Sequence, residues 1–315
     1  MVEGSTGKMT PKIDNDRNQK GEMVITPGGW RPKSKVHFVD PGHHISGEGD
    51  RLKIIHTETG KTIKDLGELK VAEEEGGKLV LRVKPAEKTI GASSSAPITN
   101  GWIVNSEWTN RTGSPISYFK TRWIVPPQPA TDNNQIVYLF NGIQQTSGGP
   151  FILQPVLQWG AEDGGENYWS IANWYVGGQG GTALHGPHVN VSPGEVVEGI
   201  MTLTGQTGTK FNYRSSFTGY STADLTVTNI DELHWANETL ECYNFRKFSD
   251  YPNTALTAFS DIEIRLRTSA TAFTEVQAMI NWQADDRVTD NGQHCFIVSN
   301  DSPGGKVDLY YRNIT

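Results

Sequence analysis

Two glutamines in one apolar segment are the first residues of this chain whose type and spacing suggest chemistry. The segment FILQPVLQW covers residues 151–159, and it contains Gln154 and Gln158 four positions apart. Because side chains alternate across a β-strand, both amides share one face with Val156, while the opposite face is leucine and tryptophan. Such a face either meets solvent or offers hydrogen bonds to a ligand.

Two glutamates lie in a second strand-like segment, WANETLECYNF. By the same alternation, Glu238 shares a face with Leu240 and Cys242, and Glu241 lies on the opposite face. Only one of the two carboxylates can therefore line any one groove.

Aromatic residues crowd the segment NYWSIANWYV, which contains Trp169, Trp174 and Tyr175. Rings at this density are typical of a core and of cross-strand pairs. A second interpretation is that some of them line a groove for a peptide or a sugar, because flat rings give a large contact area.

No cofactor and no metal is predicted. The chain lacks the glycine-rich phosphate loop and the G-x-S-x-G elbow of serine hydrolases. His185 and His188 have a spacing that fits a metal, but without a carboxylate or thiol neighbour we interpret them as loop residues. Asp285, Asp286 and Asp290 are interpreted as a solvated turn rather than a calcium site.

Composition favours strands and turns. The 315 residues include 9 Trp, 10 Tyr, 11 Phe, 34 Gly and 16 Pro. Residues 1–98 carry 16 Lys and Arg against 14 Asp and Glu, a net of +2, so a total of −7 leaves −9 for the remainder. An acidic body argues against a nucleic-acid partner, and the absence of an 18-residue apolar run argues against a membrane span.

Four regions are predicted along the chain. Residues 1–25 are expected to be a disordered tail, residues 26–85 a small β-rich N-terminal segment, and residues 86–100 a linker rich in Ser, Ala and Pro. Residues 101–315 contain a dozen short strand-like runs separated by turn residues, which predicts an all-β antiparallel sandwich or barrel.

The order of several segments resembles the fungal glutamic peptidases, or eqolisins. The succession is RWIVP, FILQPVLQW, YWSIANWYV, VNVSPGEVVEGIMTLTG and WANETLE, within residues 105–265. The resemblance implies a concanavalin-like sandwich of two bent antiparallel sheets whose concave face binds an extended polypeptide. It also implies that residues 26–85 form a pro-segment over the groove, the alternative being an accessory sheet of the main body.

The resemblance further implies a catalytic Gln and Glu. Gln154 matches the Gln of the family's Ile-Leu-Gln motif, and the family's AEWIVE strand matches ANETLE through either Glu238 or Glu241; we favour Glu238 for its position after WAN. The Glu would take a proton from the attacking water and return it to the leaving nitrogen, while the Gln donates a hydrogen bond to the oxyanion. Burial would raise the pKa of the Glu and set activity on the acid side.

Substrate contacts would then come from Gln158 and from the three aromatic residues named above. A polypeptide substrate is expected, with the chain secreted although its opening shows no signal peptide. The alternative is a lectin-like carbohydrate-binding module on the same sandwich without hydrolysis, in which case the partner is a glycan and a cytoplasmic location stays open.

Overall fold

The structure is a computed structural model, and it describes most of the chain beyond the first 21 residues. The described residues are 22–49, 51–68, 101–146, 149–160, 167–178, 181–268 and 274–312. The predicted linker, residues 86–100, lies outside them.

Two large sheets account for most strands of the described ranges. We call the first sheet I, and β13 (Val189–Val191) pairs with one of its central strands. The order across sheet I is β20 (Gln283–Asp286), β7 (Gly101–Thr109), β17 (Trp235–Tyr243), β9 (Ile136–Gln144), β10 (Phe151–Trp159), β11 (Trp169–Gly177), β12 (Ala183–His185) and β3 (Val36–Phe38).

Sheet II packs against one face of sheet I, and β19 (Glu275–Gln277) pairs with one of its strands. Its order is β21 (His294–Ser299), β22 (Gly305–Tyr310), β18 (Leu256–Arg267), β8 (Ile116–Ile124), β14 (Val196–Thr207), β15 (Lys210–Phe217), β16 (Leu225–Ile230), β4 (His43–Glu48), β5 (Arg51–His56) and β6 (Thr62–Glu68). A separate hairpin comprises β1 (Met23–Thr26) and β2 (Gly29–Pro32). Short 3₁₀ turns occupy Lys33–Lys35, Ser221–Ala223 and Phe248–Asp250.

This architecture is the predicted all-β sandwich of two sheets. Its core lies between the sheets and includes Leu153, Leu157 and Trp159, as the alternation in FILQPVLQW predicted. Burying these side chains removes a large apolar area from water, the main favourable term in folding. In the described part of the chain, no helix is long and apolar enough to cross a bilayer.

The other face of sheet I also carries an apolar cluster, which contains Val156, Trp174 and Ile25 of the hairpin. We call this face the groove face and define it by Gln154, Gln158, Trp174 and Glu241. The face towards sheet II is the inner face. Because sheet I is covered on both faces, every residue of β9, β10, β11 and β17 is buried.

The N-terminal strands are built into both sheets. Strand β3 extends sheet I by a parallel pairing with β12, and β4 extends sheet II by a parallel pairing with β16. These two pairings depart from the predicted antiparallel pattern. Residues 23–25, assigned to a tail from the sequence, instead belong to β1, because Ile25 has an apolar cluster to join.

The strand-like runs of the sequence include QAMINWQ, residues 277–283, but not the segment that forms β7. In the structure only the ends of QAMINWQ lie in strands, β19 and β20. Residues 278–282 form no strand: the N–H of Ala278 donates to the carbonyl of Ile264 (2.9 Å) and the N–H of Trp282 to the Asn300 side chain (2.8 Å). Strand β7 lies directly beside β17 in sheet I.

Candidate functional site

The two glutamates of β17 lie on opposite faces of sheet I. Glu238 pairs in register with Asn141 on β9, and Thr121 Oγ1 of sheet II donates to Glu238 Oε1 at 2.6 Å. Glu238 is fully buried between the sheets, and this burial raises the pKa of its carboxyl well above the ordinary value. The preference for Glu238 is therefore corrected: the carboxyl on the face of Gln154 belongs to Glu241.

Glu241 is buried on the groove face and is already hydrogen-bonded. The backbone N–H of Gly28 donates to Glu241 Oε1 at 2.9 Å, and the hydroxyl of Tyr243 donates to the same oxygen. Burial raises the pKa of Glu241 to about 7, while these two hydrogen bonds and the positive charge of Arg31 act in the opposite direction. A carboxyl with this pKa can hold or release a proton in mildly acidic solution.

Gln154 lies on the groove face with 1% of its surface exposed. Neither atom of its amide has a hydrogen-bond partner in the described structure. Gln158, four residues on, donates from Nε2 to the carbonyl of Gly160 (2.8 Å), while its Oε1 is also without a partner. A buried unsatisfied polar group costs about 1–3 kcal/mol, so this face carries a cost that a suitable ligand would remove.

The residue of β17 that lies in register with Gln154, two strands away, is an amide and not an acid. The register that pairs Leu153 with Ile143 puts Gly142 opposite Gln154, and Gly142 pairs in turn with Asn237 on β17. Asn237 Nδ2 donates to the carbonyl of Gly142 at 3.1 Å. Glu241 lies four positions further along β17.

Sequence reasoning missed Asn237, although a signal was present. If ANETLE is compared with AEWIVE without a gap, Asn237 occupies the position of the first acid and Glu241 that of the second. The gap that brought Glu238 into the first position would also turn it to the wrong face of the strand.

The hairpin β1–β2 covers the groove face. Its Ile25 carbonyl accepts a hydrogen bond from the Tyr138 hydroxyl at 3.3 Å. Its Gly28 contacts both Glu241 on β17 and Val176 on β11, where a Cβ on Gly28 would come 3.1 Å from Val176 Cγ1. Since β9 and β10 separate β17 from β11, one residue can reach both strands only if the face is concave.

Arg31 holds the hairpin in place through buried hydrogen bonds. Its side chain is completely buried and donates to Thr26 Oγ1 (2.6 Å), to the carbonyl of Pro27 (3.2 Å) and to the carbonyl of Gly181 (2.7 Å). Burial lowers the pKa of Arg31 to about 10, against the attraction of Tyr243 and Glu241. The guanidinium therefore stays charged and joins the hairpin to the loop that follows β11.

The three aromatic residues of β11 that were predicted to bind substrate lie on opposite faces of sheet I. Trp174 lies on the groove face, in register with Gln154. Trp169 and Tyr175 lie in the core between the sheets, where their rings pack against Trp159 and Phe151. Their assignment as substrate-binding residues is corrected, because odd-numbered residues of β11 face sheet II.

Within the described ranges, no cluster of three or more His, Cys, Asp and Glu side chains could hold a metal ion. Asp285 pairs with Arg287 at 2.7 Å, and Asp286 accepts a hydrogen bond from the N–H of Cys295 at 2.7 Å. Asp285 and Asp286, interpreted from the sequence as residues of a solvated turn, instead lie in β20 and pair with β7.

Comparison with solved structures gives neighbours that include glutamic peptidases. No protein-family model and no curated protein sequence matches the chain. The chain is similar in structure to eqolisins. Two solved structures of scytalido-glutamic peptidase, one with a peptide-based transition-state analogue and one with a transition-state analogue inhibitor, have TM-scores of 0.41 and 0.42. A structure of SCP-B, a member of the eqolisin family in a complex with the tripeptide Ala-Ile-His, has a TM-score of 0.39.

Each of these likenesses covers 68% of this chain and 100% of the other, at 13% sequence identity. At this identity the likeness assigns no role to any residue.

Proposed function

We propose that the protein is an acid-acting endopeptidase of glutamic type, in which Glu241 transfers the protons and Gln158, in register with Glu241 through Tyr138 of β9, stabilises the oxyanion. The observation that carries this proposal is the hydrogen bond from the backbone N–H of Gly28 to Glu241. It supports the proposal because a main-chain N–H of an extended segment already lies against the buried carboxyl of Glu241 on the groove face.

Glu241 has the properties that proton transfer requires. Its pKa of about 7 in the covered groove reflects burial, so the value will fall towards the ordinary one when the groove opens to water. In acid the ionised fraction accepts a proton from water as the water attacks the carbonyl, and the acid then protonates the leaving nitrogen.

Gln158 is suited to the oxyanion. Its Nε2 carries two hydrogens and gives one of them to the carbonyl of Gly160, so the second can donate to the charge that develops on the substrate carbonyl oxygen. An amide also brings no negative charge that would repel the oxyanion.

In this proposal the hairpin is a cover that must leave before substrate enters. The Gln154 amide and Gln158 Oε1 on the same face support this role, because they are buried and no described group satisfies them. An extended substrate that pairs with them has an energetic advantage over the hairpin.

A second function is supported by Asn237. Because an amide rather than an acid lies in register with Gln154, the second candidate function is the binding of extended polypeptides on the groove face without hydrolysis. The lectin-like alternative stays a prediction. Trp169 and Tyr175 are buried between the sheets, so their rings cannot stack on a sugar.

The test is digestion of acid-denatured casein between pH 2 and 7 in the presence of pepstatin. We expect cleavage by the wild type and a loss of about 10²-fold or more in kcat/KM for Glu241→Gln and for Gln158→Ala. Glu238→Gln is the matched control, since it makes the same change on the inner face, and it should keep its activity. Binding of casein peptides without cleavage would establish the second function instead.

A further inference from the structure

The groove face continues beyond β17 to the edge strand β20, and this end of it carries two carboxylates. Glu107 of β7 pairs in register with Asn237 of β17, so the two side chains share the groove face. Asn105 pairs with Thr239, two residues after Asn237 and on the same face, and with Asp285 of β20. We call Asn105, Glu107 and Asp285 the acidic end of the groove face.

The acidic end is open in the full chain. Glu107 and Asp285 are part exposed, whereas Glu241 beneath the hairpin is only 1% exposed. Gln283, which pairs with Glu107 on the β20 side, is exposed. A ligand can therefore reach the acidic end while the hairpin stays in place.

The two carboxylates are close enough to share one cation. Because Gln283 pairs with Glu107, and Asp285 follows Gln283 by two residues, Glu107 and Asp285 are diagonal neighbours on adjacent strands, about 7–8 Å apart. Burial and then the charge of Asp285 raise the pKa of Glu107, while Arg287 acts in the opposite direction. Two negative charges thus lie together in part-buried surroundings.

Arg287 is a cation that the chain itself brings to the acidic end. Its Nε lies 2.7 Å from Asp285 Oδ2, and its guanidinium lies 5.1 Å from the centre of the Trp102 ring. Both partners of this ion pair are at least a third exposed, so the pair is weak and can exchange. Among the described residues, no Lys, Arg or His forms an ion pair with Glu107, and one negative charge stays uncompensated.

A buried amide lies between the two carboxylates. Asn105 is 0% exposed, and neither its Oδ1 nor its Nδ2 has a hydrogen-bond partner in the described part of the chain. It precedes Glu107 by two residues on the same face and is in register with Asp285. Its Oδ1 can accept a hydrogen bond from an ammonium or a guanidinium, so three side chains offer oxygen atoms to one cation.

These groups suit an organic cation, since no cluster of His, Cys, Asp and Glu in the described ranges could hold a metal ion. The row that begins at Glu107 continues through Asn237 and Gly142 to Gln154, so the acidic end is continuous with the rest of the groove face. We propose that the acidic end is a subsite for a basic side chain, Lys or Arg, of an extended polypeptide. This subsite rests on the proposed function only in that the groove face takes a polypeptide, with or without cleavage.

The subsite lies away from the reacting centre. Asn237, the register partner of Glu107, precedes Glu241 by four residues, which is about 13 Å along the strand. An extended polypeptide has the same rise per residue, so its basic residue must lie at least about four positions from a peptide bond held at Glu241. The subsite therefore acts on the affinity for polypeptides rather than on proton transfer.

Peptide titration of the full-length protein at pH 7, followed by NMR, tests the subsite without a cleavage assay. The probes are end-capped pentapeptides of alanine with Lys, norleucine or Glu in the centre, and the side-chain N–H signals of Trp102 and Arg287 report binding at the site. We expect Lys to bind about threefold or more tightly than norleucine, and Glu more weakly than both. Equal affinity for Lys and norleucine, or no shift of either signal with Lys, would overturn the proposal.

An uncapped norleucine peptide separates an α-amine from a basic side chain. We expect it to bind more weakly than the capped Lys peptide, because an α-amine lies close to the main chain and lacks the reach of a long side chain. Tighter binding of the uncapped norleucine peptide would overturn the proposal in favour of a site for a chain terminus.

Two variants should change the preference for Lys in opposite directions. Glu107→Gln keeps the shape and removes the charge, so the Lys and norleucine peptides should bind equally. Arg287→Gln removes the competing cation, so the preference should grow about threefold. Glu58→Gln and Arg51→Gln are the controls, because they make the same changes of charge in β5 and in the exposed turn that follows it. If the controls change the preference as much, the attraction belongs to the whole acidic protein and the subsite is excluded.

The subsite and the peptidase fail separately. A protein that prefers the Lys peptide but leaves casein intact keeps the subsite and loses the peptidase. A protein that cleaves casein but binds the Lys and norleucine peptides equally loses the subsite alone.

Discussion

The backbone N–H of Gly28 donates to the carboxylate of Glu241 over 2.9 Å, although the two residues are 213 positions apart in the chain. The N-terminal hairpin thus occupies the place where a substrate main chain would lie in the proposed peptidase.

Gly28 has no room for a side chain. Its φ of +80° disfavours a Cβ, and a Cβ would also lie 3.1 Å from Val176 Cγ1. Gly42 has a φ of +83° with nothing within 4 Å, so Gly42→Ala measures the backbone cost alone. We expect Gly28→Ala to lower the free energy of unfolding by about 1–3 kcal/mol more than Gly42→Ala. Urea denaturation measures both, and equal costs would show that the hairpin is not tightly packed.

Arg31 should contribute far more than an exposed arginine. Arg31→Met leaves the buried carbonyls of Pro27 and Gly181 without their donor, which we expect to cost about 2–5 kcal/mol. Arg51, which pairs with Asp65 at the surface, is the control, and Arg51→Met should cost about 1 kcal/mol or less. Thermal unfolding at pH 7 compares them; similar effects would contradict the anchoring role of Arg31.

Glu241 makes stability depend on pH in a defined window. Its folded pKa of about 7 is above its ordinary 4.5, so its contribution is complete below pH 4.5 and is lost as pH rises to 7. Across that window the wild type should lose about 3 kcal/mol relative to Glu241→Gln, whose side chain does not titrate. Denaturant midpoints at pH 4 and pH 7.5 measure the difference, and a constant gap between the two proteins would contradict it.

Asn237 offers a test of register. Asn237→Glu puts a carboxylate in line with Gln154 across Gly142, where proton transfer and oxyanion stabilisation would act on one peptide bond. We expect kcat/KM on casein at acid pH to rise about tenfold or more. Asn237→Gln has the same size without an acid and should show no gain. Equal rates for the two variants would mean that the position takes no part in cleavage.

Alternation along a strand is the part of this site that the sequence determined. The separation of Gln154 and Gln158 from Leu153 and Leu157, and of Glu238 from Glu241, was predicted and confirmed. Alternation has a period of two residues and needs no knowledge of the rest of the fold.

The run of turn-separated strands after residue 101 likewise predicted the sandwich, because its hydrophobic pattern is local. Trp169 and Tyr175 were misplaced for a different reason. Their face was readable from the sequence, but which face of β11 meets sheet II was not.

Tertiary structure alone decided which face is the groove and what fills it. That Asn237 lies across from Gln154, and that Gly28 reaches Glu241, depends on the order of strands in sheet I and on the hairpin that packs on it. These pairings join segments far apart in the chain, and they are fixed by the burial of whole sheets rather than by any local pattern. The sequence thus determined which side chains stay together, and the packing of the sheets determined what they face.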